Sequence, residues 1–172
     1  LHTAYRRQRQ MCIRDRISPF GKRKERMSHI PVTDTIAHAL MQLVDDSNNN
    51  GVYREPSHAD IEFHVNQAGL AEHDPKQQGQ MIGKAKRVRA VLYAVMDSNP
   101  VAASRFTSGL LAKVRACGGF REASTNYVGR EAIDNAKAAF DAEGFVLADD
   151  GTLSPKVCLL YTSDAADDMQ CV

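Results

Sequence analysis

Few side chains in this 172-residue chain carry chemistry, and their spacing decides what each can do. Lys84, Lys86, Arg87 and Arg89 fall within six residues and form the best candidate contact for a negatively charged partner. On a helix these positions spread around nearly half the circumference rather than along one line, so a solvated helix face is the simpler reading. His58 and His64 stand six apart, too far round a helix for the i, i+4 metal pair of an H-E-x-x-H motif. With His73 they read as surface polar residues, and His38, near the apolar face of its helix, reads as packed. Cys117 lies at a helix end and reads as core or rim packing, because an isolated thiol behaves as a small apolar group. The run Asp45-Asp46-Ser47-Asn48-Asn49-Asn50-Gly51 crowds its carboxylates at one end. No bidentate acid follows where a calcium loop needs one. There is no Gly-rich phosphate loop, and no Ser or Cys has a signposted base. No catalytic residue, metal ligand or cofactor-binding residue is therefore assigned.

The elements that would position these groups are helices. The stretch Gln80–Phe120 reads as two of them, joined by Asp97-Ser98-Asn99-Pro100. Met81, Ile82, Ala85, Val88, Leu92, Val95 and Met96 recur at three- and four-residue steps, with Lys84, Lys86, Arg87 and Arg89 on the other side. Val101, Phe106, Leu110, Leu111 and Val114 repeat the pattern. Asn99 suits a cap, Pro100 suits the first helical position, and Gly118-Gly119 stops the helix. This pair is expected to fold back as a helical hairpin around which the rest is built. Upstream, Val32, Ile36, Leu40, Leu43 and Val44 predict a helix capped by Thr33. Val52–Pro56 is an extended link. Ser57 and Asp60 form a weak capping box for a helix that buries Ile61, Val65 and Ala68, places Phe63 at the edge of that face and ends at Gly69. Leu70–Gly79 reads as a linker, with Asp74-Pro75 able to open the next helix early. A fifth helix is predicted from about Gly129 to Glu143, turning its Ala132, Ile133, Ala136, Ala139 and Phe140 inward. Phe145-Val146-Leu147, the turn Asp149-Asp150-Gly151 and Thr152-Leu153 then predict a β-hairpin. The fold class is mainly α, with about five helices and a small C-terminal β-hairpin.

The totals mix two sources. Residues 6–16 and 158–168 read as translated sequencing-library adapter. A DNA that encodes the first has a reverse complement that, read one base in, encodes the second. The natural chain is accordingly expected to begin at Met27 and to be cut near Val157, with 1–26 and 158–172 as artefactual tails and Ile17–His29 without packed structure. The chain carries a net +1. Residues 1–27 hold nine basic and two acidic residues, whereas 28–157 hold 13 basic and 16 acidic ones. The basic arm thus lies in the tail, and the mildly acidic remainder argues weakly against a general phosphate-backbone binder. Three of the four cysteines, Cys12, Cys158 and Cys171, also fall in the tails, which leaves no disulfide framework. No apolar run approaches the ~20 residues of a membrane helix, and no secretory signal is visible. A cytoplasmic protein that contacts no membrane is expected.

One segment has a resemblance. Phe120-Arg121, then Asn126-Tyr127-Val128-Gly129-Arg130-Glu131-Ala132-Ile133, then Ala139-Phe140-Asp141-Ala142-Glu143-Gly144-Phe145-Val146-Leu147-Ala148-Asp149-Asp150-Gly151-Thr152-Leu153-Ser154-Pro155 resemble the N-terminal region of bacterial abortive-infection family proteins. The similarity covers about Ser28–Val157. It implies a part in defence against phage, with an effector domain following the segment. That domain in the family is similar to helical HEPN domains, some of which cleave RNA through an Arg and a His with four to six residues between them. Arg54 and His58 have three residues between them and lie at a helix entrance, so no functional residue carries over. The resemblance implies a non-catalytic regulatory, sensing or interaction domain whose partner is a protein or the missing C-terminal domain. The residues also suggest an alternative: a helix followed by a hairpin ends a winged-helix nucleic-acid binder. Against it, Arg130 and Lys137 are outnumbered by Glu131, Asp134, Asp141 and Glu143.

Overall fold

The computed structural model describes residues 29–46 and 53–156. The two adapter-like stretches, Ile17–Ser28, Val52, and Ser47–Gly51 of the acidic loop lie outside the described residues. Among the described residues the fold is built of five α-helices and one two-stranded antiparallel sheet, the sheet near the C-terminal end.

Helix α1 spans Asp34–Val44, and its start follows from Thr33, whose hydroxyl accepts from the Ile36 N–H at 3.5 Å. Asp34 sits in its first turn, where the helix dipole favours a carboxylate. It buries Ile36, Ala37, Ala39, Leu40, Leu43 and Val44, so more than one face is apolar. Helix α2 spans His58–Ala68 and opens with the expected capping box: Ser57 Oγ accepts from the Asp60 N–H and the Asp60 carboxylate accepts from the Ser57 N–H. Only Ile61, Val65 and Ala68 of α2 are buried, and Phe63 is exposed rather than at the edge of the core.

A 3₁₀ turn, Ala71–His73, leads to α3, Lys84–Val95. The expected early start of α3 is not seen, because Gly83 is extended and serves as its N-cap. Met81 consequently lies in solvent, and the buried stripe is Val88, Val91, Leu92 and Val95. Helix α4, Pro100–Ala116, begins as predicted with Asn99 accepting from the Ala102 N–H and Pro100 in the first turn. Helix α5, Arg130–Ala142, buries Ile133, Ala136, Ala139 and Phe140.

Packing corrects the expected centre of the molecule. Helix α1, not the α3–α4 pair, is the hub: it packs most extensively on α3 and α5 and also touches α4. Helix α2 lies mainly on α4, while α3 and α4 share a smaller contact. The physical reason is the width of the apolar surface on α1, where Ala37 and Ala39 let neighbours approach on both flanks of Leu40.

Strands β1 (Phe145–Leu147) and β2 (Leu153–Pro155) pair with Leu147 opposite Leu153 and Phe145 opposite Pro155. β1 packs on α5 and buries Phe145 and Leu147 while Val146 faces out. The turn is a three-residue loop: Gly151 N–H donates to the Ala148 carbonyl at 3.0 Å, and Ala148 N–H to the Thr152 carbonyl at 2.9 Å. Gly151 carries a positive φ, at 82°. This is the longer hairpin geometry, a turn followed by a left-handed residue.

Candidate functional site

Three cations are buried where the end of α1, the entrance of α2, the 3₁₀ turn and the start of α3 converge. Arg87 and Asp74 are both fully buried. Arg87 Nε donates to Asp74 Oδ1 at 2.8 Å, and Nη2 donates to Oδ2. Its remaining nitrogen, Nη1, donates to the His58 carbonyl at 2.8 Å and lies 3.5 Å from His58 Nδ1. The Glu62 carboxylate stands 3.8 Å from Nη2. A planar guanidinium meeting a carboxylate with two parallel bonds is the strongest geometry available to this pair. It ties α3 to the turn before it and to α2.

Lys84 enters the same junction. Its Nζ donates to the Pro56 carbonyl at 3.1 Å and to the Arg54 carbonyl, pairs with Asp46 Oδ2 at 2.6 Å, and lies 4.5 Å from the Tyr53 ring centre. Arg54 points the other way. Its guanidinium donates to the Leu43 carbonyl at 3.4 Å, to the Asp45 carbonyl, and to the Tyr127 carbonyl at 3.3 Å. It therefore covers the carbonyl end of α1, where a cation is favoured by the helix dipole. Burial lowers its pKa, partly offset by Asp46 and Asp45.

The candidate contact is thus divided. Lys84 and Arg87 do not lie on the outer side of the helix: both are buried and paired. Lys86 and Arg89 are exposed. Arg89 rests 5.1 Å from the ring centre of Tyr93, whose hydroxyl donates to the Asp34 carboxylate on α1. That hydrogen bond raises the Tyr93 pKa.

The histidines divide as well. His38 is exposed rather than packed, with Nε2 3.3 Å from the Gln42 amide nitrogen. His58 is half-buried against Arg87. His64 is half-buried against α4, and His73 lies 3.3 Å from Glu72. Among the described residues no three His, Cys, Asp or Glu side chains gather as metal ligands would. Cys117 is half-buried at the end of α4, and burial pushes its thiol up, with Lys113 acting the other way.

Two residues whose tertiary contacts the sequence does not reveal tie the loops together. Asp74 is one. Its only sequence signal is its place before Pro75 in an otherwise polar linker. Asn126 is the other: its side chain accepts from the Glu55 N–H at 3.0 Å and donates to the Cys117 carbonyl at 3.1 Å. Beside it a groove of about 580 Å³ runs between α1 and α5, lined in part by Gln42, Arg54, Tyr127, Arg130 and Asn135. Asp45 and Glu131 line it too, so its charges are mixed.

On α5 and the hairpin the cations face acids. Arg130 lies 3.4 Å from Glu122, Lys137 pairs with Asp149, and Lys156 lies 2.5 Å from Asp141. Among the described residues no helix is long and apolar enough to cross a membrane. No family model, curated protein or solved structure matches the chain.

Proposed function

We propose that residues 27–157 are a non-catalytic regulatory, sensing or interaction domain of an abortive-infection phage-defence protein, working in the cytoplasm on a protein partner or on the effector domain that follows. The observation that carries this reading is the use made of the polar side chains. Arg54, Lys84, Arg87 and Asp74 are spent on holding helices and loops together. Lys86 and Arg89 remain outside as contacts for a partner. The residues that carry the family resemblance are also those that join the parts: Phe120 meets the hairpin turn, Asn126 bridges two loops, and α5 packs on β1. Reading the gene across Val157 without library adapters tests it. A helical effector domain with an Arg–His pair is the expected continuation, and RNA cleavage by the full protein is then the assay. A continuation into anything else overturns the reading.

A nucleic-acid-binding role is the second reading, favoured by the direct succession of α5 and the hairpin. The pairing of Arg130, Lys137 and Lys156 with carboxylates weakens it. It requires binding that falls steeply with salt, and no gel shift at low salt removes it.

A further inference from the structure

Helix α2 is the least anchored of the five, with three buried residues in eleven. Both its histidines sit at its contacts with other helices. The His64 ring occupies the space left by Gly109 on α4: a Cβ there would lie 2.7 Å from Nδ1. That Nδ1 is buried and has no hydrogen-bond partner among the described residues. At the other end, His58 Nδ1 lies 3.5 Å from Arg87 Nη1. Neither ring gains a counter-charge of its own on taking up a proton.

We propose that α2 is a proton-responsive element: protonation of His58 and His64 loosens it from α3 and α4 while the α1-centred core stays folded.

The surrounding charges agree. Around His58 stand Arg87 and Lys84 of α3 and Lys76 of the preceding turn, with Asp46 opposing them. Asp74 is taken up by Arg87, and Glu62 also lies toward that guanidinium. Around His64 stand Lys113 of α4 and Asp60 of α2 itself, which are paired with each other at 2.8 Å. Burial lowers the pKa of both histidines; for His58 the neighbouring cations add to it, whereas for His64 a hydrogen bond with the Gln67 side chain works the other way without cancelling it. The sign follows. A histidine depressed in the folded state costs nothing above its unfolded pKa of about 6.5, and it withdraws stability as pH falls from there to its folded value. Ile61 and Val65 are the apolar surface that opening would expose.

Hydrogen exchange of the intact chain, corrected for intrinsic rates, tests this. Protection of 58–68 is expected to fall at least about tenfold from pH 7.5 to pH 5, within the tenfold per pH unit that each histidine allows, while 100–116 stays nearly constant. In the double variant His58→Gln, His64→Leu the fall disappears. Gly109→Ala, which displaces the His64 ring without removing it, reduces the fall. Three results overturn the proposal: unchanged protection of α2 in the wild-type chain, parallel loss in α2 and α4, or a fall that persists in the double variant.

Discussion

Arg87 and Asp74, thirteen residues apart, meet as a two-pronged ion pair with neither side chain exposed. Each alone would be a stranded charge in the core. Removing one partner of such a pair costs about 3–5 kcal/mol, because the survivor stays buried without compensation. Asp74→Ala is therefore expected to lower unfolding stability by about that amount in denaturant titration, and Arg87→Ala by a similar amount. The double replacement Arg87→Met, Asp74→Leu is expected to lose less than either single change. Equal losses that simply add would show that the two residues do not act as a unit.

Lys84 and Lys86 make a second comparison, two positions apart on one helix. Lys84→Ala leaves the Arg54 and Pro56 carbonyls and the Asp46 carboxylate without their donor, at a cost of about 1–3 kcal/mol. Lys86→Ala and Arg89→Ala are expected to stay within about 0.5 kcal/mol, as exposed substitutions do. Thermal unfolding of the three variants checks this. A loss at Lys86 equal to that at Lys84 would contradict the division of the cluster.

That division marks what could be read from sequence. Helix caps were legible because they are local: Thr33, Ser57 with Asp60, and Asn99 each act within three residues. The α5–hairpin succession was legible for the same reason. The hub was not. A periodicity shows that Val88 and Leu92 share a face, but not that α1 rather than α4 covers it. The inward turn of Lys84 and Arg87 was hidden too. Their partners, Asp46, Asp74 and the carbonyls at 54, 56 and 58, come from polar loops and from the first residue of α2, far from Lys84 and Arg87 in sequence.

Gly151 lies directly on Phe120. A Cβ at Gly151 would stand 2.5 Å from the Phe120 ring, and the φ of 82° is one that side chains seldom adopt. Gly151→Ala therefore meets both a steric and a conformational penalty, the latter about 1–2 kcal/mol. Its expected effect is faster amide exchange in 145–155 and displaced Phe120 ring resonances, with α2 unaffected. Phe120→Ala removes the ring and should relieve the steric part, so the double variant loses less than the sum of the two singles.

Asp60 supplies the acid limit. Burial alone would raise its carboxyl, but Lys113, the Ser57 hydroxyl and the Ser57 N–H together hold it well below the ordinary carboxylate range. A depressed carboxylate gives stability that is whole above its unfolded pKa of about 3.9 and is lost progressively as pH falls from there to the folded value. Asp60 therefore contributes no pH dependence between pH 7 and pH 5, and any loss in that window belongs to other groups. Asp60→Asn removes the charge from the bridge to Lys113 and from the capping box. It is expected to cost about 1 kcal/mol at pH 7, the usual worth of a cap, and less than that near pH 2. Denaturant titrations of both chains from pH 7 to pH 2 would show the two stability curves parallel down to about pH 4 and converging below it. Curves that converge already between pH 7 and pH 5 would mean that the Asp60 carboxyl titrates in the ordinary range or above it.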